Sequence, residues 1–394
     1  MANQPTDAFI RQHADEDVRL LALRGTKDPE VDLSYALDQI AGRQKARTKL
    51  PSWAVMDQIV YPSHLSMEQC SSEYTARYKK KIVERLTGER KLFVDLTGGF
   101  GVDFAFMAAL FQQAVYVERQ EALCSLSSHN FRVLGLTQAQ TRCGDGMDYL
   151  TTVSHADVIM IDPARRDEHG GRTFAIADCT PNILESLNQL LEKSHYTLVK
   201  LSPMLDWQKA VEDIGEQWVR EVHIVSVGNE CKELLLVLSK QVSSLKVFCV
   251  NDEDCFEYMY HHDTSDDVVV ASLGGRYLYE PNASIMKGGC FQQIEQRFPV
   301  RQLAPNSHLF LSDEKLAHFP GRAFEVLDTT SMNKRELKEK LQPIRQANIA
   351  VRNFPLSVAE LRKRLRITDG GEDFLFASTT AEKAHIIFIC RKIH

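Results

Sequence analysis

The chain has 394 residues, of which 44% are hydrophobic and 25% are charged, and its formal net charge at pH 7 is −6. This composition is typical of globular proteins and excludes a wholly disordered or collagen-like chain, and the acidic balance excludes a uniformly basic nucleic-acid-binding surface. At roughly 150 residues per domain, the length predicts two to three domains. Nine cysteines occur without a C-x-x-C pair, so we expect reduced thiols in a cytoplasmic protein and no structural zinc site.

The first 88 residues form a predicted N-terminal helical region. Apolar residues recur at helical spacing in Val18–Leu23, Leu33–Ile40 and Glu73–Leu86. Residues 1–19 mix acidic and basic side chains, unlike a signal peptide. The longest apolar stretch, Phe104–Phe111, is far shorter than the ~20 residues that a membrane helix needs, so we expect no membrane association.

Residues 89–242 alternate between predicted strands and helices, which indicates an α/β domain with a parallel sheet. The last two strands are joined by the short link 228–233, which is too short for a crossover helix and predicts an antiparallel pair. The predicted strands are Leu92–Leu96, Ala114–Glu118, Ala139–Cys143, Val158–Ile161, Thr197–Leu201, Glu221–Val227 and Leu234–Ser239.

The composition changes after Lys240. The segment Asn251–Asp267 contains seven acidic residues and no Lys or Arg, so it is predicted to be an exposed boundary. Residues 243–318 are predicted as a connecting or ferredoxin-like α+β region. Glu257 and His261 would share a helix face, together with His262 and Asp263, but in such an acidic segment we expect no metal site.

A small α+β domain is predicted for residues 319–394. Its predicted elements are a strand (Ala323–Asp328), a helix (Lys334–Leu341), a strand (Asn348–Asn353), a helix (Val358–Leu365) and two strands (Phe374–Ser378 and His385–Arg391). From Lys334 to Arg366 there are ten Lys and Arg residues against three Glu residues, which indicates a local basic surface.

The strongest chemical motif is the stretch from Val94 to Asp103, which closes a predicted strand and opens a helix. Its glycines allow close approach of the backbone to a ligand. A dinucleotide fingerprint would place Phe104 where a small residue is needed, which argues against NAD, and the P-loop pattern G-x-x-x-x-G-K-[ST] is absent from the sequence.

Four acidic residues follow successive predicted strands: Asp95, Glu118, Asp145 and Asp162. The carboxyl ends of parallel strands meet at the edge where open α/β sheets bind ligands. Each acid could instead cap a helix or lie in a solvated turn, and Asp145 is itself an N-cap candidate. The recurrence of all four at strand ends favours a ligand site.

Residues 92–239 resemble a class I S-adenosylmethionine-dependent methyltransferase, including the closing antiparallel strands. The resemblance implies a Rossmann-like seven-stranded sheet and S-adenosylmethionine as the cofactor. It implies that Glu118 holds the ribose and that Asp145 contacts the adenine. The loop residues that it implies for cofactor binding are Asp95, Thr97, Gly98, Gly99, Gly101 and Asp103.

The motif Asp162-Pro163-Ala164-Arg165 resembles the D-P-P-Y motif of methyltransferases that act on amino groups of nucleic-acid bases. The resemblance implies that Asp162 and the backbone after it accept hydrogen bonds from the target amine. Arg165 stands where the family has an aromatic residue, and a guanidinium can also stack on a base. Uracil C5 methyltransferases share D-P-x-R but need a nucleophilic Cys after the next strand, where this chain has Lys200-Leu201-Ser202-Pro203.

The segment Glu68–Lys79 resembles Gln/Ser/Thr-rich turns that cover the cofactor in several base methyltransferases, although Ser71 or Ser72 could simply cap a helix. The whole chain resembles bacterial methyltransferases with a C-terminal THUMP-like domain, which implies a structured RNA as partner. We expect methylation of a base nitrogen in RNA; the alternatives are a methyltransferase acting on a protein or small molecule, and an inactive cofactor- and RNA-binding adaptor. The candidate RNA-binding residues are Arg166, Arg172, Lys334, Arg335, Lys338, Arg345, Arg352, Arg362, Lys363, Arg364 and Arg366.

Overall fold

The computed structural model describes residues 3–165, 175–241, 243–261 and 275–393. It divides into two compact units. The first comprises Met1–Glu221 and Leu234–Ser243, and the second comprises Val222–Glu233 and Ser244–His394. We describe each unit by itself.

The first unit begins with helices, as predicted. Residues just before these helices accept hydrogen bonds from the free backbone N–H groups of the first turn, as Asp32 does before α3 and Ser72 before α6. The helices are α1 (Gln4–Gln12), α2 (Val18–Arg24), α3 (Leu33–Lys49), α4 (Pro51–Ala54), α5 (His64–Gln69) and α6 (Glu73–Leu86).

Strands and helices then alternate, which confirms the predicted α/β class. The elements are β1 (Leu92–Asp95), α7 (Val102–Ala108), β2 (Gln113–Glu118), α8 (Glu121–Val133), β3 (Ala139–Cys143), α9 (Gly146–Thr152), β4 (Ala156–Ile161), β5 (Ala164–Arg165), β6 (Cys179–Thr180), α10 (Ile183–Lys193), β7 (Ser194–Leu201), α11 (Trp207–Ile214), β8 (Val219–Val227) and β9 (Glu230–Leu238). Short 3-10 turns lie at Ile176–Asp178 and Glu216–Trp218.

The strands of this unit follow the order β8-β9-β7-β4-β1-β2-β3 within a sheet of nine strands, and β8 and β9 each divide between the two units. Strands β3, β2, β1, β4 and β7 pair in parallel, and β9 pairs with β7 antiparallel. β8 and β9, the pair predicted from the short link, are neighbours in the sheet. Every residue of β4 is buried, because helices cover both faces of a parallel sheet. The carboxyl ends of β1, β2, β4 and β7 therefore point to one edge.

In the second unit, β10 (Lys246–Asn251) neighbours β8 and pairs antiparallel with β11 (Asp254–Met259). The prediction of an exposed boundary at residues 251–267 is thus wrong for β11. Glu257 lies between buried Phe256 and Tyr258, so this half-buried edge strand carries the Glu257 charge on its outer face. Glu257 lies on this strand and pairs with Lys246 at 2.9 Å, while His262 and Asp263 lie outside the described residues.

The remaining elements build a second sheet with the order β13-β14-β12-β15-β18-β17-β16. They follow the predicted strand–helix–strand–helix–strand–strand order from residue 321 onward. The elements are β12 (Tyr277–Pro281), α12 (Ala283–Gly288), α13 (Phe291–Arg297), β13 (Arg301–Gln302), β14 (Phe310–Ser312), β15 (Gly321–Ser331), α14 (Lys334–Leu341), β16 (Asn348–Arg352), α15 (Val358–Leu365), β17 (Asp373–Thr379) and β18 (His385–Ile393).

Alternate residues of this second sheet form two different cores. Phe376 and Phe388 pack with Phe324 on one face. Leu375 and Ile387 pack on the other, where the helices contribute Leu341 of α14 and Leu361 of α15. Because side chains on both faces of β17 and β18 are buried in a core, these strands read as nearly continuous apolar runs in the sequence.

Candidate active site

A cavity of about 320 Å³ opens where β1, β2, β4 and β7 end. Residues from each of these strand ends contribute to its wall, as the placement of the acids in the sequence predicts. The predicted site residues that line it are Asp95, Thr97, Gly98, Gly99, Gly101, Asp103, Glu118 and Asp162. Gln69, Cys70 and Ser71, from the segment before α6, line the same cavity.

Two glycines of the loop after β1 have left-handed backbone conformations that other residues rarely adopt. Gly99 has φ of 54° and Gly101 has φ of 80°. A methyl group on Gly101 would lie 2.7 Å from the Phe131 ring, so this position also requires the absence of a side chain. The loop turns tightly, with the Gly101 N–H donating to the Gly98 carbonyl at 2.8 Å, before α7 begins.

Glu118, at the end of β2, is bonded to this loop. Its Oε2 accepts from the Gly99 N–H at 2.9 Å, and its Oε1 accepts from the Gln120 N–H at 2.8 Å. A carboxylate oxygen can accept more than one hydrogen bond, so both oxygens retain capacity for hydroxyl donors from a ligand.

Asp95 is almost completely buried at the floor of the cavity. Burial raises the pKa of Asp95 to about 8, although the hydrogen bond from the Thr97 N–H at 3.0 Å acts in the opposite direction. The nearby carboxylates of Asp103 and Asp162 raise the pKa further. A cationic ligand group beside Asp95 would reverse this effect by favouring the ionised form.

Asp145 does not line the cavity. Its side chain is the N-cap of α9 and accepts from the N–H groups of Met147 at 2.7 Å and Asp148 at 3.1 Å. It also forms an ion pair with Arg119. Burial raises the pKa of Asp145, but these hydrogen bonds and the Arg119 charge outweigh it and hold the pKa below its usual value. The following residues, Gly146 and Met147, do line the cavity.

Asp162 follows β4, and its carboxylate lies beside a lysine that sequence reasoning missed. The Nζ atom of Lys200, at the end of β7, is 2.5 Å from Asp162 Oδ2 and 3.8 Å from Asp103 Oδ2. Pro163 is buried and is not part of the cavity lining. The backbone of Arg165 forms part of β5, and its side chain lies outside what the structure describes.

Lys79 is a second lysine that the sequence reading missed. It is fully buried, and its Nζ lies 3.2 Å from Asp103 Oδ1, while the Ser71 hydroxyl donates to Asp103 Oδ2 at 2.7 Å. The sequence does contain a sign of it, because Lys79 lies in the middle of the buried stripe of α6, between Ala76 and Val83. A lysine at a core position of an amphipathic helix needs an anionic partner.

Two family models match the second unit. One is described as a THUMP domain-like family and matches residues 321–392. The other is described as a ferredoxin-like domain and matches residues 277–320. Among curated proteins, none matches the chain.

The chain aligns over nearly its whole length with a crystal structure from Porphyromonas gingivalis W83 that is described as a "putative methyltransferase". The two share 31% sequence identity with a TM-score of 0.87, over 99% of this chain and 98% of that one. The chain belongs to this methyltransferase family. With the THUMP-like match, this confirms a class I methyltransferase fold joined to a C-terminal THUMP-like domain.

Other solved structures align with only part of the chain. An rRNA methylase from Streptococcus thermophilus shares 16% identity with a TM-score of 0.32, over 42% of this chain and 95% of that one. A SAM-dependent methyltransferase from Agrobacterium tumefaciens shares 16% identity with a TM-score of 0.31, over 42% of this chain and 61% of that one.

Among the residues that the structure describes, every helix is too short or too polar to cross a membrane.

The basic residues of the THUMP-like domain fall into separate groups. Arg352 is bonded to the buried carboxylate of Glu280 at 2.7 Å, and Arg362 to Asp369 at 2.6 Å. Arg335 and Lys363 are exposed and do not line the groove described next. Arg166 and Arg172 lie outside the described residues.

A groove of about 560 Å³ runs between α14 and α15 and gathers the other basic residues. Its lining residues include five cationic side chains and no acidic one, and the apolar ones are leucines and an isoleucine. We call it the basic groove; its cationic residues are Lys334, Lys338, Arg345, Arg364 and Arg366.

Proposed function

We propose that this protein methylates a base nitrogen of a structured RNA, with S-adenosylmethionine as the methyl donor. The observation that carries the proposal is that Asp95, Glu118 and Asp162 line one cavity at the ligand-binding edge of a methyltransferase sheet. We also propose that the protein acts in the cytoplasm, in keeping with its scattered cysteines.

The residues of the cavity fit the cofactor. Its volume of about 320 Å³ lies within the roughly 300–1,000 Å³ typical of ligand sites. A side chain at Gly99 would have the Thr97 carbonyl oxygen as its nearest neighbour, at 4.0 Å, so a ligand can approach the loop backbone closely there. Glu118 would accept from the ribose hydroxyls and Asp95 from the ammonium group. Asp145 would contribute to the adenine end through the turn that it caps, because Gly146 and Met147 line the cavity.

The catalytic role that we propose for this chain is mainly positioning. When bound, S-adenosylmethionine supplies a methyl group that its sulfonium charge already activates. Asp162 would accept an N–H of the target amine, which aims the nitrogen lone pair at the methyl carbon, and would take up the proton that the nitrogen releases. Pro163 fixes the backbone after Asp162, and Arg165 would stack on the base. Holding two reactants in line can supply about 7–11 kcal/mol of the barrier reduction.

The basic groove supports RNA as the substrate class. Five cationic side chains face one groove without an acidic residue in its lining, so their positive potential is not neutralised locally. Contacts to phosphates dominate the affinity of proteins for nucleic acids. A THUMP-like domain in the same chain agrees with this assignment.

Labelled methyl transfer tests the proposal against its two alternatives. The purified chain is incubated with radiolabelled S-adenosylmethionine and separate RNA, protein and small-metabolite fractions from cells. We expect label in the RNA fraction, in an N-methylated nucleoside after digestion. Label in protein or metabolites would favour the first alternative, and cofactor binding without transfer would favour an adaptor.

Asp162→Ala provides the matched variant for this assay. We expect it to abolish transfer while it leaves affinity for S-adenosylhomocysteine within about twofold, because the side chain would contact the target rather than the cofactor. Asp148→Ala, an exposed acid on α9 outside the cavity lining, is the control and should retain full transfer. Near-normal turnover of Asp162→Ala would remove Asp162 from the catalytic role.

A further inference from the structure

Four charged side chains alternate in sign from the N-terminal helices to the cavity. Lys79 Nζ lies 3.2 Å from Asp103 Oδ1, Asp103 Oδ2 lies 3.8 Å from Lys200 Nζ, and Lys200 Nζ lies 2.5 Å from Asp162 Oδ2. We call this series the charge chain. It connects α6, the start of α7, the end of β7 and the end of β4, which are far apart in sequence.

Exposure increases steadily along the charge chain. The exposed fraction of the side chain is 0% for Lys79, 10% for Asp103, 14% for Lys200 and 39% for Asp162. Buried charges persist when they are paired, so the inner members hold one another in place. Asp162 is the most exposed of the four, and in the proposed function the target amine binds there, although Asp103 and Lys200 also line the cavity.

The outer end of the charge chain is held at two points. The Thr97 hydroxyl accepts from the Asp162 N–H at 2.6 Å and fixes its backbone, while Lys200 binds Oδ2 of its side chain. With the backbone and Oδ2 both held, the direction of Oδ1 is also set. A carboxylate without the lysine would rotate about its last side-chain bond, and only some of its orientations would meet a target amine.

We propose that Lys200 is a positioning residue that orients Asp162 toward the target amine, and that Asp103, held by Lys79 and Ser71, fixes Lys200 in turn. This inference rests on the proposed function, in which Asp162 is the acceptor. Lys200 lines the same cavity, but its Nζ is bonded to Asp162 and lies beside Asp103, so it acts through Asp162. Lys79 of α6 and Ser71 just before it thus connect the N-terminal helical region to the active site through Asp103.

The kinetic test compares Lys200→Met, Lys200→Arg and the control Lys209→Met. Lys209 is an exposed residue of α11 that pairs with Glu212 and Asp213. A misplaced catalytic group can cost about 100-fold in rate, so we expect Lys200→Met to lower kcat about 100-fold. The KM for RNA and the Kd for S-adenosylhomocysteine should stay within about threefold. Lys200→Arg should recover part of kcat because it retains the charge, and Lys209→Met should match the parent.

A crystal structure of Lys200→Met supplies a readout that does not depend on the substrate. We expect the Asp162 carboxylate to leave its parental orientation in Lys200→Met and to keep it in Lys200→Arg. An unchanged carboxylate, or an unchanged kcat, in Lys200→Met would overturn the inference. If the parent itself methylates no RNA, the proposed function fails, while the orientation of Asp162 still decides whether Lys200 positions it.

Discussion

The hydroxyl of Thr97 accepts a hydrogen bond from the backbone N–H of Asp162 at 2.6 Å. This bond joins the glycine loop after β1 to the chain that follows β4. The two segments belong to adjacent parallel strands, yet their relative position beyond the sheet depends on side-chain contacts such as this one. The loop proposed to hold the cofactor and the acid proposed to hold the target are therefore fixed with respect to each other.

The first prediction concerns Glu118. Glu118→Ala should weaken the binding of S-adenosylhomocysteine by about 1.5–3 kcal/mol, because hydrogen bonds to a charged group contribute this much. The variant also loses the acceptor of the Gly99 N–H, so the loop itself becomes less ordered. Isothermal titration calorimetry measures the change, with NAD as a ligand that should give no heat.

Glu121→Ala is the matched control for Glu118→Ala. Glu121 is an exposed acid in the first turn of α8 and does not line the cavity, so its removal should leave affinity unchanged. Equal affinities of Glu118→Ala and the parent would show that Glu118 is not a cofactor ligand.

The second prediction concerns the pH dependence of stability at Asp95. Its pKa is raised to about 8 in the folded chain, so the native state keeps a proton that the unfolded state releases above about pH 4. The contribution of this group to the free energy of unfolding therefore falls as pH rises from about 4 to about 8 and levels off above that. Asp95→Asn lacks the titration and should gain stability relative to the parent across this window.

Urea unfolding of Asp95→Asn and the parent at several pH values checks this expectation. A difference in the free energy of unfolding that does not change with pH would contradict it. The same pKa predicts that binding a cationic ligand at Asp95 near pH 7 releases a proton, which calorimetry in buffers of different ionisation enthalpy detects.

The third prediction separates two reasons why a position with a left-handed backbone requires glycine. Gly101 and Gly135 both have a left-handed backbone, with φ of 80° and 71°, but only at Gly101 would a methyl group collide with Phe131. Gly135→Ala should cost about 1 kcal/mol through backbone strain alone, and Gly101→Ala about 2–4 kcal/mol because overpacking is added. Chemical denaturation measures both, and equal losses would mean that the Phe131 ring moves away without cost.

The fourth prediction tests the basic groove with two variants of identical charge change. Lys338→Gln/Arg364→Gln removes one lysine and one arginine that line the groove, from α14 and α15. Arg335→Gln/Lys363→Gln removes the same residue types from the same helices outside its lining. Each phosphate contact contributes about 0.7–0.9 to the slope of log K against log salt, so the first variant should flatten the slope by up to about 1.8.

RNA binding measured over a series of salt concentrations distinguishes the two variants. Arg335→Gln/Lys363→Gln should bind RNA like the parent, and both variants should retain their affinity for the cofactor. If the two pairs weaken binding equally, the helices present a diffuse positive surface; if neither does, RNA docks elsewhere on the chain.

The sequence predicts best those features that a few neighbouring residues determine. Helices α6, α14 and α15 have the predicted bounds, and their starts are marked by the N-cap residues Ser72, Asn333 and Ser357. Asp95, Glu118 and Asp162 of the cavity lining are also predictable, because each lies at the end of a predicted strand. Asp145, predicted in the same way, caps α9 and does not line the cavity. Lys79 and Lys200 were missed because their significance arises only when α6 and β7 both approach Asp103, which no local pattern encodes.

The seven-stranded sheet of the second unit does not separate at the point where one family match gives way to the next. β12 lies in the ferredoxin-like match and pairs along its length with β15 of the THUMP-like match. Glu280 of β12 receives both Arg322 and Arg352. Residues 321–392 are thus not an independent module. Transferred alone to another enzyme, they would leave one edge of β15 unpaired and Arg322 and Arg352 without Glu280. A chimeric protein must therefore also carry β12.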